Sequence, residues 1–517
     1  MRVLRGMTMA VLVWTAGAVH ALAGVERIEI KSRETFYASR IGPYIKIEGV
    51  FTGSLDPGGE SIPGLDKAAR RPDGRVEYRS DFIIVAPESP SAGNRVLLFD
   101  VENNGRPVVH GLYNSPIESV VRGLEIGNGF LEDQGFIVAV ASWQSGQGIT
   151  LPEYPGADGK PVSIPAVGFA AIRDFAAFLR FDAADTAGTA NPVAGRITQA
   201  IAAGSSQTAR FLKSFVYHGF NRASNRMIFD GLHLQVGQVG SMPFMPPPGA
   251  PPDVVRATLV GDSAVYPFTY QDVLAPLAAR KETSPKILAT NVEGDYYRRR
   301  LSLLRTGPSG TADIPLPDSV RVWDIAGGSH GIVLQNNCEM PRANLDWHPI
   351  MRAGLTGLVR WVQGGAPLPA SRLMTIEPAA PAPFLSPAPP GQAKAVMQVP
   401  RRDADGNAEG GVRLPAIAVP IGTFGGWNAP LDNDCGDMSV FWRQFPRSNL
   451  QRLMTSDSRA SVQERYGTAE EYLKRYRTAA EALVREGYVL QSDATDMEAN
   501  VAARVKPLFQ PPARDGQ

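Results

Sequence analysis

The sequence predicts an α/β fold: a mostly parallel central sheet flanked by helices, with an N-terminal β-rich extension and a C-terminal extension. Three observations predict it. From Val96 onward, apolar strand-like runs alternate with loops and helix-period segments, the rhythm of a parallel sheet covered on both faces. Before that, period-2 runs such as Arg27-Ile28-Glu29-Ile30 and Tyr44-Ile45-Lys46-Ile47-Glu48 alternate with Gly/Pro-rich interruptions, as in an antiparallel meander. Between Ile197 and Asn221 an apolar run stops at Gly204-Ser205-Ser206-Gln207-Thr208, after which Phe211, Leu212, Phe215 and Val216 recur at helical spacing.

Taken in order, Arg2 and Arg5 precede an apolar stretch from Met7 to Val19, and Ala21-Leu22-Ala23 supplies small residues for a peptidase. This reads as a secretory signal cut after Ala21 or Ala23, because the run falls short of the ~20 residues that a membrane span needs. The chain is therefore expected in the periplasm or outside the cell, without stable membrane insertion. Residues 24–95 form a β-rich region joined to the main sheet. A core follows over 96–365, with strands at Val96–Phe99 and Phe136–Ala141 and a helix at Val167–Phe181. Beyond the central unit come strands at Met227–Val236, Lys286–Val292 and Val320–Ala326, then a helix over Leu355–Trp361. An insertion near 237–285 contains Met245 to Pro252, a stiff proline run suited to a lid. Residues 366–517 form a proline-rich segment and an extension packed on the core, closed by a helix from Thr468 to Val484. There is no internal repeat.

Among 517 residues, 52 Lys+Arg face 51 Asp+Glu, so no excess charge is available to hold a polyanion, and nucleic acid is excluded as the main partner. The two cysteines, Cys338 and Cys435, read as a disulfide in an oxidising compartment, with two buried thiols as the alternative. Closing a loop of about a hundred residues contributes ~4–5 kcal/mol in the chain-entropy account.

The strand–turn–helix unit carries the chemistry. A serine in such a turn is lifted clear of the sheet, and small neighbours are needed where strand and helix backbones pass closely. The frame G-x-S-x-G fits with Ser206 as nucleophile, Thr208 replacing the last glycine; the plainer reading is a turn that only caps its helix. A serine hydroxyl needs a base, and the base needs an orienting carboxylate. Of the six histidines, His330 follows the strand at 320–326 across Gly327-Gly328-Ser329, where a loop can deliver a base; His348, before a helix, reads as packing. For the acid, Asp295 is chosen, with Glu293 and Asp230 left open as alternatives. Oxyanion donors are expected from Gln207, by its backbone N–H and by its side-chain amide, and from the loop Asn103-Asn104-Gly105. The alternative for that loop is a plain β-turn. Trp143 and Trp427 are candidates for a substrate wall or for ordinary core.

Asp403-Ala404-Asp405-Gly406-Asn407-Ala408-Glu409 hints at calcium, but Ala408 stands where an EF-hand needs glycine and Leu414 where it needs glutamate, so a solvated turn is expected. No HExxH, paired CxxC or GxxxxGK[ST] occurs; no metal and no cofactor is expected.

With these motifs in place, the chain resembles a bacterial family of exported alpha/beta hydrolase domain-containing proteins over nearly all of its mature length. The resemblance is carried by Gly204-Ser205-Ser206-Gln207-Thr208-Ala209-Arg210, Gly219-Phe220-Asn221 and Ala326-Gly327-Gly328-Ser329-His330-Gly331. Further pieces are Asp403-Ala404-Asp405-Gly406-Asn407, Gly422-Thr423-Phe424-Gly425-Gly426-Trp427-Asn428 and Glu464-Arg465-Tyr466. It implies an α/β-hydrolase fold with Ser206 and His330 in the serine-hydrolase roles. The acid falls at Asp295, where the family more often has glutamate. A more distant similarity to glucuronoyl esterases, in which the residue after the nucleophile helps bind the oxyanion, implies that role for Gln207. The expected activity is hydrolysis of a small-molecule or glycan-linked carboxylic ester. A non-catalytic binding protein on this scaffold and an acyltransferase using the same residues are the alternatives.

Overall fold

The computed structural model describes residues 24–156, 158–237, 239–242, 267–332, 338–379, 397–428 and 439–510. The expected signal, the proline run at Met245–Pro252 and Cys435 lie outside the described residues. Cys338 is buried and there is no free cysteine among the described residues.

The fold is built on one ten-stranded sheet. Strands β1 (Val25–Ser39), β2 (Gly42–Leu55) and β3 (Val76–Pro87) form an antiparallel meander. They alternate buried and exposed residues where only one face is covered, most regularly at the start of β3. Next come β4 (Val96–Val101), β5 (Ile137–Ala141), the two-residue β6 (Ile149–Thr150), β7 (Gln199–Ser205), β8 (Gly231–Gln235), β9 (Lys286–Val292) and β10 (Val320–Ile325). The order across the sheet is β1-β2-β3-β5-β4-β7-β8-β9-β10, with β6 beside β3. From β5 to β10 all neighbours are parallel. Strands β4 and β5 are buried at every residue, as parallel strands between two helical layers must be. This is an α/β-hydrolase architecture.

The expected strand at Met227–Val236 is shorter than its apolar pattern. Ser224 and Asn225 both adopt left-handed backbone (φ 45° and 64°), so Arg226–Met227 folds back on Arg222–Ala223 as a hairpin and the sheet strand starts only at Gly231. The last expected helix is also not the end of the chain. Thr468 caps the helix Ala469–Glu486, and a further helix, Gln491–Val505, follows. Its buried residues, Asp493, Ala494, Met497 and Val505, are few and one is charged, which leaves a weak periodic signal.

The C-terminal extension continues the sheet edge and clamps the core. Asp324 of β10 exchanges backbone hydrogen bonds with Arg372 and Val412. Arg352, on the helix His348–Val362, is buried; its guanidinium donates to the carbonyls of Tyr113 and Ser115 and to Asp493 Oδ1 (2.9 Å) on the last long helix. Burial raises the Asp493 pKa, against the lowering effect of Arg352. Arg352→Ala leaves that carboxylate buried without its partner, and a stability loss of about 3–5 kcal/mol is expected in denaturant unfolding; a loss below ~1 kcal/mol would contradict this account of the clamp.

Candidate active site

The carboxyl ends of β7, β9 and β10 converge on one rim of the sheet, where ligands collect in open α/β folds. Ser206 follows β7 and heads helix α1 (Gln207–Tyr217) with φ 53° and ψ −108°, a conformation that costs about 1–3 kcal/mol and projects the hydroxyl outward. The turn admits nothing larger than glycine at 204: a Cβ there would lie 2.7 Å from the Thr208 carbonyl carbon. Thr208, in place of the usual glycine, is used. Its hydroxyl accepts from Ser205 N–H (3.0 Å) and donates to Ser205 O (3.1 Å), closing the elbow from within. Gln235, at the end of β8, holds the other side. Its carbonyl accepts from Ser206 N–H (2.9 Å) and its side chain from Ser205 Oγ. Neither contribution was read from the sequence, and for Gln235 only its place at a strand end could have drawn notice.

His330 Nε2 lies 2.9 Å from Ser206 Oγ, and His330 Nδ1 lies 2.7 Å from Asp295 Oδ1. Asp295 is 0 % exposed and the imidazole 16 %, so the carboxylate is shielded while the ring reaches the rim. Asp295 sits in helix α2 (Glu293–Arg298), directly after β9. The next residue, Tyr296, anchors that helix by donating to Asp324 Oδ2 (2.6 Å). His330 is delivered by a tight turn after β10 in which Gly327 has φ 74°, and a Cβ there would meet Ile417 Cδ1 at 2.5 Å.

Asp230 and Glu293, the other two carboxylates left open, have partners of their own. Asp230 precedes β8 at the opposite end of the sheet, where it pairs with Arg180 (2.7 Å) and accepts from Ala200 N–H. Glu293 accepts from Gly327 N–H (2.7 Å) and pairs with Arg402. The other described histidines are structural. His110 contacts Glu132 (2.9 Å) and His348 contacts Asp346 (2.7 Å). His233 contacts the Tyr113 hydroxyl (2.7 Å) beneath the sheet, where burial pushes its pKa down to about 3, and burial pushes that of His218 down to about 4.

The loop Asn103-Asn104-Gly105, expected to supply oxyanion donors, abuts the elbow. Asn104 and Gly105 are left-handed (φ 51° and 71°), and Asn103 and Arg106 exchange N–H···O bonds of 2.9 and 3.2 Å, so the loop is a two-residue β-turn. The Asn103 N–H is spent on that turn, and its side chain braces the Ser205 carbonyl (2.8 Å). Asn104 N–H points instead to Gln207 Oε1 through a long 3.3 Å bond. Gln207 itself is buried and its Nε2 has no hydrogen-bond partner. Its backbone N–H opens helix α1, where no intrahelical acceptor exists. If the amide serves the oxyanion, Gln207→Ala lowers kcat about 10²-fold with a smaller rise in KM; an unchanged kcat in steady-state assays would discard that role.

Trp143, a candidate for substrate wall or core, lies in the core. It is buried, packs against Phe169 and Phe211, and donates its indole N–H to Glu102 O (2.8 Å). Trp427 is half-buried at the core edge. The segment at 403–409 is a self-bonded turn: Asp403 Oδ1 accepts from Asp405 and Asn407 N–H, Asp403 pairs with Arg413, and Asp405 pairs with Arg465. Among the described residues no cluster of His, Cys, Asp and Glu has the grouping to hold a metal, and no helix is long and apolar enough to cross a membrane. A cavity of about 320 Å³, lined in part by Leu414, Phe424, Trp442, Tyr472 and Tyr476, lies between the extension and the core; Ser206, His330 and Asp295 are not among its lining residues.

A family model described as "Alpha/beta hydrolase domain" matches residues 150–499. No curated protein matches the chain. Among solved structures, a glucuronoyl esterase from Solibacter usitatus is 13 % identical, over 59 % of this chain and 84 % of that one, with a TM-score of 0.31. A CE15 glucuronoyl esterase from Teredinibacter turnerae T7901 is 12 % identical, over 66 % and 80 %, with a TM-score of 0.32. Acetyl xylan esterase 1 from Thermoanaerobacterium sp. JW/SL YS485 is 11 % identical, over 53 % and 75 %, with a TM-score of 0.27.

Proposed function

Since the chain belongs to the alpha/beta hydrolase domain family, we propose that it is a serine hydrolase acting on carboxylic esters through Ser206, His330 and Asp295. The observation that supports this is the hydrogen-bonded line Ser206 Oγ–His330 Nε2 (2.9 Å) and His330 Nδ1–Asp295 Oδ1 (2.7 Å). Ser206 Oγ attacks the ester carbonyl as its proton passes to His330 Nε2. Collapse of the tetrahedral intermediate expels the alkoxide, which takes that proton, and leaves an acyl-enzyme. Water then repeats the sequence, releasing the acid and restoring Ser206. Asp295 holds the imidazole with Nδ1 protonated and steadies the imidazolium. In this reading the N–H of Gln207, with its side-chain amide, serves the oxyanion. An ester suits the site because an alkoxide leaves with less help from the acid than an amine does.

The reading extends to export, with residues 1–23 as the signal, and to a Cys338–Cys435 bridge, which peptide mapping without reductant tests. The function is tested by assaying purified protein against simple, aromatic and carbohydrate esters of graded chain length. Release of acid from at least one class is expected; inertness toward all of them, with the protein folded, would count against an ester hydrolase.

A further inference from the structure

Glu293 is 0 % exposed and has no part in the line from Ser206 to Asp295. It stands where β9 ends, two residues before Asp295, and its Oε2 accepts from the N–H of Gly327, three residues before His330. The next residue, Gly294, donates its N–H to the carbonyl of Gly328 (3.1 Å). Two hydrogen bonds therefore stitch the exit of β9 to the exit of β10. These are the two loops that must hold Asp295 and His330 in register. Gly327 is left-handed and packed against Ile417 and Phe424, so its N–H has a fixed direction.

A lone carboxylate in this interior is costly, and its counter-charge comes from far along the chain. Arg402, in the C-terminal extension, pairs with Glu293 and also donates to the Tyr297 hydroxyl and to the carbonyl of Phe424 (3.2 Å). Its side chain is 25 % exposed, so water reaches one edge while the other faces Glu293. Buried ion pairs add little net stability, because desolvation offsets their attraction. What this one provides is geometry: it orients a carboxylate whose second oxygen grips the turn carrying the base.

We propose that Glu293 and Arg402 are positioning residues, a strut by which the C-terminal extension fixes the Gly327–His330 turn against the Asp295 loop. This rests on the Ser206–His330–Asp295 reading. The strut touches neither substrate nor the reacting atoms. It acts through the placement of His330, which must be right to a fraction of an ångström for proton transfer.

The test compares Glu293→Leu, Glu293→Gln and Arg402→Met with the wild type and with Ser206→Ala. Hydrolysis and fluorophosphonate labelling are measured well below each melting temperature. Leucine orphans the Gly327 N–H, so kcat and labelling rate should both fall roughly 10²-fold with KM within about twofold. Glutamine keeps an acceptor for Gly327 and should recover to within about fivefold of wild type. Arg402→Met leaves the carboxylate unpaired and should lower kcat about 10-fold or more, again with KM little changed. Adding Arg402→Met to Glu293→Gln should not lower kcat further, since the charge it would have paired is already gone.

If the variants melt lower yet turn over at the wild-type rate, the pair serves stability alone and the proposal is overturned. It is equally overturned if Glu293→Gln is as impaired as Glu293→Leu, or if Arg402→Met is silent in kcat. Should Glu293→Leu fail to fold, the glutamine and methionine variants still decide. Wild-type labelling that disappears in Ser206→Ala keeps the triad reading standing whatever Glu293 does; absence of wild-type labelling removes both.

Discussion

Replacing Ser206 with alanine is expected to lower ester turnover by about 10⁴- to 10⁶-fold, with no loss of thermal stability. The hydroxyl is the only group in the proposed mechanism that bonds covalently to the substrate, and the residual rate would come from binding and the oxyanion donors. Stability should hold because the surrounding elbow is fixed by other groups: Thr208 to Ser205, Ser206 N–H to Gln235 O, and Asn103 to Ser205 O. The backbone at 206 disfavours any side chain, so Ser206→Gly should be more stable than wild type by about 1 kcal/mol while equally inactive. Paired measurements of initial rate and melting temperature check both statements. A Ser206→Ala protein retaining more than a tenth of wild-type turnover would show that another group attacks the ester.

The second large effect is expected at Asp295. In Asp295→Asn the side chain keeps its size, but its amide N–H₂ can turn toward His330 Nδ1. The imidazole would then carry its proton on Nε2, the nitrogen facing Ser206, and could no longer accept the serine proton. A fall of about 10⁴ in kcat with little change in KM is predicted. Asp230→Asn, at the far end of the sheet, should stay within about twofold of wild type. The reverse order of effects would move the acid elsewhere.

Much of this arrangement is legible in the sequence because the chemistry imposes local constraints. An apolar run, small residues, serine and a helical period can be read directly at 197–221. A histidine just beyond a buried strand and two glycines is equally visible at 330. Asp295 is legible only as one of three carboxylates near strand ends. Spacing does not reveal that Asp230 lies at the amino end of its strand or that Glu293 turns toward Gly327, because side-chain direction depends on where the hairpin at 222–227 ends and helix α2 begins. Trp143 fits a substrate wall by its place after a strand, yet its neighbours Phe169 and Phe211 lie on two later helices that draw it into the core. Asn-Gly at 104–105 marks a β-turn as readily as a donor loop, and its backbone takes the turn. Arg402 is silent in the sequence. It lies more than a hundred residues beyond its partner Glu293, in a segment whose polar pattern reads as a surface turn.

In the proposed reaction one serine hydroxyl, made nucleophilic by His330, is the reactive atom. The most direct measurement is treatment of the folded protein with a fluorophosphonate, followed by mapping the adduct by peptide mass spectrometry. One phosphonyl group per chain is expected, on Ser206, formed much more slowly when His330 is replaced by alanine. No adduct, or one on Ser205 or another hydroxyl, would contradict it.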